Sequence, residues 1–180
     1  MIRPLSRDQI EARADEIRQQ ANLLTTPIRP QKIALHLGIE IKFEAFSDDL
    51  SGALIRKDGT SVIAVNSSHS KTRQAFTMAH ELGHLALGHE GDIFVDKAFI
   101  NRRDVTSSMA INAQEIQANQ FAASLLMPKA LLIPEFSTAS ERVSVRETLI
   151  SAMAKTFGVS KKAMEYRLVN LALISPPDDD

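Results

Sequence analysis

The segment from residue 73 to residue 89 constrains the fold of this chain most strongly, because it contains the pattern His-Glu-x-x-His at residues 80–84. His80 and His84 are four residues apart, so in a helix their imidazole rings stand one turn apart on one face and can share a zinc ion. Glu81 then lies about a quarter-turn away, where it can accept a proton from activated water without binding the metal itself. The pattern predicts a helix that carries two metal ligands and a general base.

An ordinary amphipathic helix with two hydrogen-bonded histidines is the alternative interpretation of this segment. The neighbouring sequence argues against it, because the side chains from Ala75 to Leu87 are apolar on nearly every side, as in a helix buried in a core. Two histidines and a glutamate in such a helix carry a large desolvation penalty unless they are paired or bind a metal ion. Gly83 is unfavourable by about 1 kcal/mol relative to alanine in mid-helix, and such a glycine often has a packing or functional reason. The segment therefore favours a zinc site.

Length and composition restrict the class of protein. With 180 residues the chain can bury one good hydrophobic core, which predicts one compact domain. The net charge of −1 argues against nucleic-acid binding by the whole surface, although it leaves room for a local basic patch. Since the chain has no cysteine, the metal must be held by histidine and carboxylate. The N-terminus lacks the apolar run of a signal peptide and no stretch is long enough to span a membrane, so we expect a cytoplasmic protein.

Two helices are predicted before the metal-binding segment. Ser6 and Gln9 form a capping-box pattern, and the apolar residues that follow repeat at helical spacing, which predicts a helix over residues 7–24. A second, short helix is predicted at about 30–37 and ends at Gly38.

A small sheet is predicted between these helices and the metal-binding helix. Asp58-Gly59 separates two strand-like runs and is a strong hairpin signal. Ser68 or Ser70 can then cap the metal-binding helix. We expect three strands in a mainly antiparallel sheet, at residues 39–43, 52–56 and 61–65.

The segment from residue 90 to residue 108 mixes charged and apolar residues without a helical period. It is typical of a loop or a short strand that crosses the front of the site. Its length suits contact with a substrate, but an irregular structural connection is equally consistent with the sequence.

A third metal ligand is expected in the strong helix that begins near Asn112 and ends at Pro128, because a catalytic zinc site normally has three protein ligands. Glu115 and Asn119 fall on one face of this helix, so Glu115 can reach the metal while Asn119 hydrogen-bonds a liganding histidine and fixes its tautomer. The alternative is that Glu115 forms a capping box with Asn112 and that Asn119 is solvated. The spacing alone leaves both interpretations open.

Two motifs together resemble the ImmA/IrrE family of bacterial and phage metallopeptidases. The first runs from Arg73 to His84 and the second from Glu115 to Pro128, and the resemblance continues into the segment from Phe157 to Leu171. It covers roughly residues 30–174 and implies an α+β, minimal zincin-like fold of gluzincin type. The motifs are Arg-x-x-Phe-Thr-x-Ala-His-Glu-Leu-Gly-His and Glu-x-x-Ala-Asn-x-Phe-Ala-x-x-Leu-Leu-Met-Pro.

The resemblance implies the roles of the site residues. His80, His84 and Glu115 would be the ligands of Zn²⁺, with Glu81 as the general base. The family often has a second glutamate two residues after the liganding one, and here that position is Gln117, which leaves the assignment to Glu115.

The substrate implied by the resemblance is a helix-turn-helix, Xre-like transcriptional repressor. Its cleavage would derepress genes for stress response, mobile-element transfer or phage defence. A zincin usually binds its peptide extended along the exposed edge of its sheet, which we expect at strand 61–65. The substrate-binding residues would then be Val62, Ile63 and Ala64. Tyr166 and His69 are weaker candidates for an additional oxyanion donor.

The C-terminal segment has the outline of a helix-turn-helix. Ser144 and Glu147 form a capping-box pattern that opens one helix, and the turn at residues 157–160 leads into another. From Glu141 to Arg167 there are six basic and three acidic residues, a modest excess of positive charge. A helical pair that packs on the core is favoured over a DNA-binding one.

We therefore expect a metallopeptidase core at 1–135, a helical segment packed on it at 136–174, and a disordered tail at 175–180. The competing function is a non-proteolytic regulator that binds DNA or a repressor and keeps a structural or vestigial zinc site. Glu81 favours the peptidase, because a structural site needs no general base. DNA as an activator or ligand is compatible with both, and the sequence does not indicate the oligomeric state.

Overall fold

The computed structural model describes residues 5–97 and 108–177 of the chain. Over these residues it is an α+β fold with seven helices and one four-stranded sheet, which confirms the predicted fold class. In chain order the elements are α1 (Arg7–Gln20), α2 (Pro30–His36), β1 (Glu40–Glu44), β2 (Leu50–Lys57), β3 (Thr60–Asn66), α3 (Lys71–Ala86), β4 (Ile93–Lys97), α4 (Ser108–Leu126), α5 (Lys129–Arg142), α6 (Arg146–Phe157) and α7 (Lys161–Asn170).

The sheet has the strand order β1-β3-β2-β4 and one strand more than predicted. The additional strand is β4, which lies in the segment expected to be a loop or a short strand. β1 pairs with β3 in parallel, whereas β2 pairs antiparallel with both β3 and β4. β3 is therefore an inner strand, and its expected place at the exposed edge is wrong. Within the described residues, β1 and β4 form the two edges.

The hairpin between β2 and β3 forms as the sequence predicts. Lys57 pairs with Thr60, so Asp58 and Gly59 are the two residues of the turn. Both have positive φ, 50° and 76°, which is the conformation of a type I′ turn and the reason why Asp-Gly is favoured there. The turn fixes the register of β2 against β3, which in turn packs Leu54 and Ile63 into the core.

The N-terminal helices are close to their predicted bounds. The capping box of α1 is present, since the Ser6 hydroxyl accepts from the backbone N–H of Gln9 and the Gln9 side chain accepts from the backbone N–H of Ser6. α1 ends at Gln20, four residues earlier than expected, and α2 is followed by Gly38 with a φ of 71°. The buried residues Ile10, Ala14 and Ile17 place one face of α1 in the core.

Helix α3, which carries His80 and His84, lies against α4, and their backbones approach closely at Gly83. A Cβ atom on Gly83 would lie 3.1 Å from the Cα atom of Ala118 and 3.2 Å from the Cβ atom of Phe121. Only glycine fits without displacing α4, which gives this mid-helix glycine the packing reason that its sequence position suggests. The first turn of α3 is capped by Ser70, whose hydroxyl accepts from the backbone N–H of Arg73.

Helix α4 begins at Ser108, so Asn112 lies inside the helix and not at its N-terminus. This excludes the interpretation of Asn112 and Glu115 as a capping box, which requires Asn112 to precede the helix. The earlier start also adds a turn before Glu115, so that Glu115 projects from the body of the helix. The side chains of residues 96–112 lie outside the described part of the chain.

The C-terminal helices differ from the prediction in two places. Helix α5 was not predicted, and it carries Pro134 within the helix. The capping box of Ser144 and Glu147 is wrong, since α6 begins after Val145 and has no side-chain cap. The turn from α6 to α7 is as predicted, with Gly158 at a φ of 68° and Ser160 capping α7.

Arg167 of α7 connects the C-terminal helices to the N-terminal helix. Its guanidinium is buried, donates to both carboxylate oxygens of Glu11, one of them at 2.9 Å, and donates through Nε to the carbonyl of Met127 at 3.1 Å. This contact links α1, the end of α4 and α7. Residues 175–177 of the predicted tail lack regular structure, and residues 178–180 lie outside the described residues.

In the part of the chain that the structure covers, no helix is both long and apolar enough to cross a membrane.

Candidate metal centre

Three side chains that are far apart in sequence converge between α3 and α4. His80 and His84 come from α3, and their Nε2 atoms are 3.1 Å apart. Glu115 of α4 places one carboxylate oxygen 3.2 Å from His80 Nε2 and the other 3.7 Å from His84 Nε2. The possible ligand atoms of His80, His84 and Glu115 all lie within 4.8 Å of one another, so these three side chains could hold one metal ion.

The donor set fits a tetrahedral metal ion such as Zn²⁺. Zinc–ligand bonds of about 2.0–2.2 Å place neighbouring ligand atoms roughly 3.3–3.6 Å apart in a tetrahedron, close to the separations seen here. Burial, together with the charges of His80, His89 and Arg56, lowers the pKa of His84 to about 2, so its ring is neutral at pH 7. Metal binding requires neutral histidine, so this ligand needs no deprotonation. Three protein ligands leave a fourth position for water or substrate.

Asn119 lies one turn after Glu115 and contacts the opposite side of His80. Its Oδ1 atom is 3.1 Å from His80 Nδ1. If Nε2 of His80 faces the metal, its Nδ1 carries the hydrogen and donates it to this oxygen. A hydrogen bond of this kind fixes the tautomer and the ring orientation of a liganding histidine. This contact corresponds to the interpretation in which Asn119 hydrogen-bonds a liganding histidine.

Glu81 is fully buried on α3, between the two histidines in sequence. Burial of a carboxylate carries a large desolvation penalty, so a functional reason for its position is expected. Its place on the helix next to both histidines suits a group that exchanges protons at the metal-facing side of the site.

Sequence reasoning missed a second layer of residues behind His84. The Nδ1 atom of His89 is 2.9 Å from His84 Nδ1, and the Nε2 atom of His89 is 3.1 Å from Gln117 Oε1. His89 is buried, and burial lowers its pKa. The signal in the sequence was a histidine directly after Gly88, close to the end of α3.

The sheet also contributes to this second layer. Phe94 of β4 stacks on the ring of His84, with their centroids 4.2 Å apart. Arg56 of β2 donates to the carbonyl of His89 at 2.8 Å and to that of His84 at 3.1 Å, and its guanidinium lies over the Phe94 ring. The end of α3 is thereby tied to β2 and β4.

A cavity of about 490 Å³ opens beside the metal centre, between α3, α4 and α7. Asn119 lies on its wall, so the cavity begins next to the hydrogen bond with His80. Arg73 and Lys162 bring positive charge to it. The remainder of the wall is mainly apolar and includes Phe76, Ala123, Met127, Val159, Ala163 and Tyr166.

The other candidate residues lie as follows. Ile63 is fully buried, and Val62 and Ala64 belong to the same inner strand β3, whose backbone pairs on both sides and cannot also pair with a peptide. His69 lies before α3, with Nε2 3.3 Å from the carbonyl of Asp48. Tyr166 is exposed on the cavity wall, with the ammonium of Lys162 over its ring.

Comparison with known proteins agrees with this arrangement. The family model of peptidase family M78, described as the IrrE N-terminal-like domain, matches residues 34–169. No curated protein sequence matches the chain significantly. Among solved structures, a Mycobacterium tuberculosis transcriptional regulator has a similar fold, with a TM-score of 0.63 and 16% sequence identity.

The alignment with that regulator covers 90% of this chain and 46% of the regulator, so the chain spans less than half of the length of the protein it matches. At this identity the likeness concerns the fold alone. The family model, in contrast, covers most of the sequence and includes both helices of the metal centre. The chain therefore belongs to the M78 peptidase family, as a protein with an IrrE N-terminal-like domain.

Proposed function

We propose that this protein is a zinc-dependent endopeptidase whose substrate is a helix-turn-helix, Xre-like transcriptional repressor. The observation that carries the proposal is the convergence of His80, His84 and Glu115 on one point, with Glu81 on the same helix. Membership of a peptidase family supports the reaction type. The choice of a repressor as substrate rests on the family resemblance.

Each residue of the site would have a distinct role in peptide hydrolysis. A zinc ion held by His80, His84 and Glu115 would activate a water molecule and polarise the peptide carbonyl. Glu81 would accept a proton from water and later pass it to the leaving amine, since a carboxylate beside the site can act as base and then as acid. Asn119 would hold His80 in the tautomer whose Nε2 faces the ligand group.

The substrate peptide would lie along β4 and not along β3. Within the described residues β4 pairs on one side only, so its other edge can accept an extended peptide by β-augmentation. Phe94 of this strand stacks on His84, which brings the edge next to the metal centre. The cavity on the opposite side, next to His80 and Asn119, would take an apolar side chain of the same peptide.

The charges of the C-terminal helices favour packing and substrate contact over DNA binding. Three of the six basic residues between positions 141 and 167 form ion pairs: Arg146 with Glu165, Lys161 with Glu147, and Arg167 with Glu11. Arg167 is also buried. Half of the positive charge is thus already compensated within the protein, which reduces the electrostatic attraction to phosphates.

The test compares the wild type with Glu81→Gln, which removes the base but keeps the shape of the side chain. Bound zinc and cleavage of the purified repressor encoded beside this gene are measured in the same samples. We expect Glu81→Gln to keep its zinc and to lose about 10²–10⁴-fold in cleavage rate. Glu135→Gln, an exposed substitution on α5, is the control and should cleave like the wild type. Zinc-loaded wild type that leaves the repressor intact would contradict the proposed substrate.

A further inference from the structure

His84, His89 and Gln117 form a row of hydrogen-bonded side chains that leads away from the metal centre. His84 Nδ1 contacts His89 Nδ1 at 2.9 Å, and His89 Nε2 contacts Gln117 Oε1 at 3.1 Å. His84 and His89 are both buried, at 0% and 5% exposure. His89 therefore contacts the nitrogen of His84 that faces away from Glu115, and it does not belong to the ligand group itself.

The positions of the hydrogens along this row follow from the chemistry of imidazole. A neutral histidine that presents the lone pair of Nε2 to a metal carries its hydrogen on Nδ1. His84 Nδ1 must then donate to His89 Nδ1, which accepts and leaves the His89 hydrogen on Nε2. That hydrogen is donated to Gln117 Oε1. Each ring nitrogen in the row thus has one role, and no two hydrogens face each other.

The amide of Gln117 is oriented for this direction of the row. Its Nε2 lies 3.5 Å from the carbonyl oxygen of Leu5, to which only the amino group can donate. The carbonyl oxygen of the same amide therefore faces His89 and acts as an acceptor. A reversed row, with His89 accepting from Gln117, would turn the amino group away from Leu5.

The backbone holds His89 in place independently of the row. α3 ends in a Schellman motif, in which the backbone N–H of His89 donates to the carbonyl of His84 at 3.0 Å and that of Gly88 donates to Leu85 at 3.2 Å. Gly88 has the positive φ, 66°, that this motif requires. Arg56 then donates to the carbonyls of both His84 and His89. The two rings are brought together by local structure that needs no metal ion.

We propose that His89, oriented by Gln117, is a positioning residue that fixes the tautomer and orientation of His84 and thereby raises the affinity of the site for Zn²⁺. This inference rests on the proposed function, because it assumes that His84 is a ligand. Hydrogen-bond partners of liganding histidines have effects of this kind, and their loss lowers metal affinity by about 10–100-fold. His89 would accept a hydrogen bond from Nδ1 of His84, as Asn119 accepts one from Nδ1 of His80.

The experiment compares His89→Leu with His89→Asn. Leucine removes the acceptor, whereas the Oδ1 atom of asparagine can still accept from His84 Nδ1. Zinc affinity is measured by competition with a chromophoric chelator, and the tautomer of His84 by ¹⁵N NMR of the imidazole nitrogens in the zinc-free protein. We expect His89→Leu to lose about 10–100-fold in affinity and to show a mixture of tautomers, and His89→Asn to recover most of both.

Two further variants keep the result decisive. His36→Leu removes an exposed histidine of α2 and should bind zinc like the wild type. Gln117→Leu leaves both histidines in place and should weaken zinc binding less than His89→Leu does. If His89→Leu does not fold, Gln117→Leu is measured in its place. The inference is overturned if His89→Leu, or Gln117→Leu where His89→Leu does not fold, binds zinc as tightly as the wild type and keeps the hydrogen of His84 on Nδ1.

Failure of the inference and failure of the proposed function are distinguishable, because neither readout involves cleavage. A wild type that binds zinc and cleaves, with an unchanged zinc affinity in His89→Leu, contradicts the role of His89 alone. Weakened zinc binding in His89→Leu, with a wild type that cleaves no repressor, supports the role of His89 and contradicts the substrate.

Discussion

A Cβ atom placed on Gly83 would lie 3.1 Å from the Cα atom of Ala118, so the backbones of α3 and α4 approach closely beside the candidate metal ligands. This contact brings Glu115, one turn before Ala118, to within 3.2 Å of His80. The distance between α3 and α4, and with it the distance between the candidate metal ligands that they carry, depends on the absence of a methyl group at Gly83.

Gly83→Ala should therefore weaken metal binding. Alanine favours the helix by about 1 kcal/mol, but forcing its methyl group against the backbone of α4 is expected to cost ~1–3 kcal/mol. We expect a zinc affinity at least about tenfold lower, because displaced ligands lose the geometry on which affinity depends. Zinc competition and thermal unfolding measure the two effects.

Gly59→Ala is the matched control for that substitution. Gly59 lies in the β2–β3 turn with nothing within 4 Å of its missing Cβ, but its φ of 76° strains alanine. The control should lose stability without losing zinc affinity. Equal zinc affinities in Gly83→Ala and the wild type would show that the helix spacing does not set the metal site.

Asn119→Leu should reduce zinc affinity by about 10–100-fold, because it removes the acceptor for the Nδ1 hydrogen of His80. Asn119→Asp keeps an acceptor oxygen at the same place and should bind zinc within a few-fold of the wild type. Metal competition with both purified variants measures the difference. The role of Asn119 is wrong if the leucine and aspartate variants bind zinc equally well.

Ala123→Phe tests the cavity between α3, α4 and α7. Ala123 lies one turn after Asn119 and lines the cavity, so a phenyl ring there should fill the space that we propose for a substrate side chain. We expect cleavage to fall by at least about tenfold while zinc affinity is unchanged. Ala152→Phe, at an exposed position on α6, is the control. Normal cleavage by Ala123→Phe would place the peptide elsewhere.

The buried pair of Glu11 and Arg167 predicts how stability depends on pH. Burial alone would raise the pKa of Glu11, but the hydrogen bonds and charge of Arg167 outweigh it, so the pKa lies below the ordinary value of 4.5. The unfolded chain then binds more protons than the folded protein as the pH falls below 4.5. The contribution of the pair is complete at pH 7 and is lost as the pH falls through the pKa of the folded state.

Glu11→Gln isolates this contribution. At pH 7 the variant should be less stable than the wild type by about 1.5–3 kcal/mol, and the difference should shrink as both are taken towards pH 3. Urea unfolding of both proteins at several pH values measures this difference in the free energy of unfolding. Glu165→Gln, which breaks the more exposed pair with Arg146, should change stability by at most about 1 kcal/mol. A difference for Glu11→Gln that is independent of pH would rule out the ion pair as its source.

The elements around the metal were predictable because their signals are local. His80 and His84 share one helix, so their spacing alone places both rings on one face. The hairpin at Asp58 and Gly59 was equally predictable, because both residues need a positive φ that few other residue types adopt. His80, His84 and the hairpin could be found without knowing how any two elements pack, whereas the spacing around Glu115 left its role open until the family resemblance was considered.

The features that sequence reasoning missed depend on contacts between distant elements. The segment of β4 was expected to be either a loop or a short strand, and its place in the sheet was missed because it depends on pairing with β2, about 40 residues earlier. The role of His89 depends on the end of α3 at Ala86 and on the turn that follows, which brings His89 next to Gln117 of α4. Helix α5 is difficult to predict from sequence because it contains Pro134, and a proline usually ends a helix.

The contact of Arg167 with Glu11 joins residues 156 positions apart, and one of them lies on the last helix of the fold. During synthesis this contact cannot form until α7 has left the ribosome. The cavity beside the metal centre includes Arg167 in its wall, so it too is complete only at that stage. A nascent chain can already carry His80, His84 and Glu115 before α7 completes the cavity wall. The candidate metal ligands and the proposed substrate cavity are therefore completed at different times.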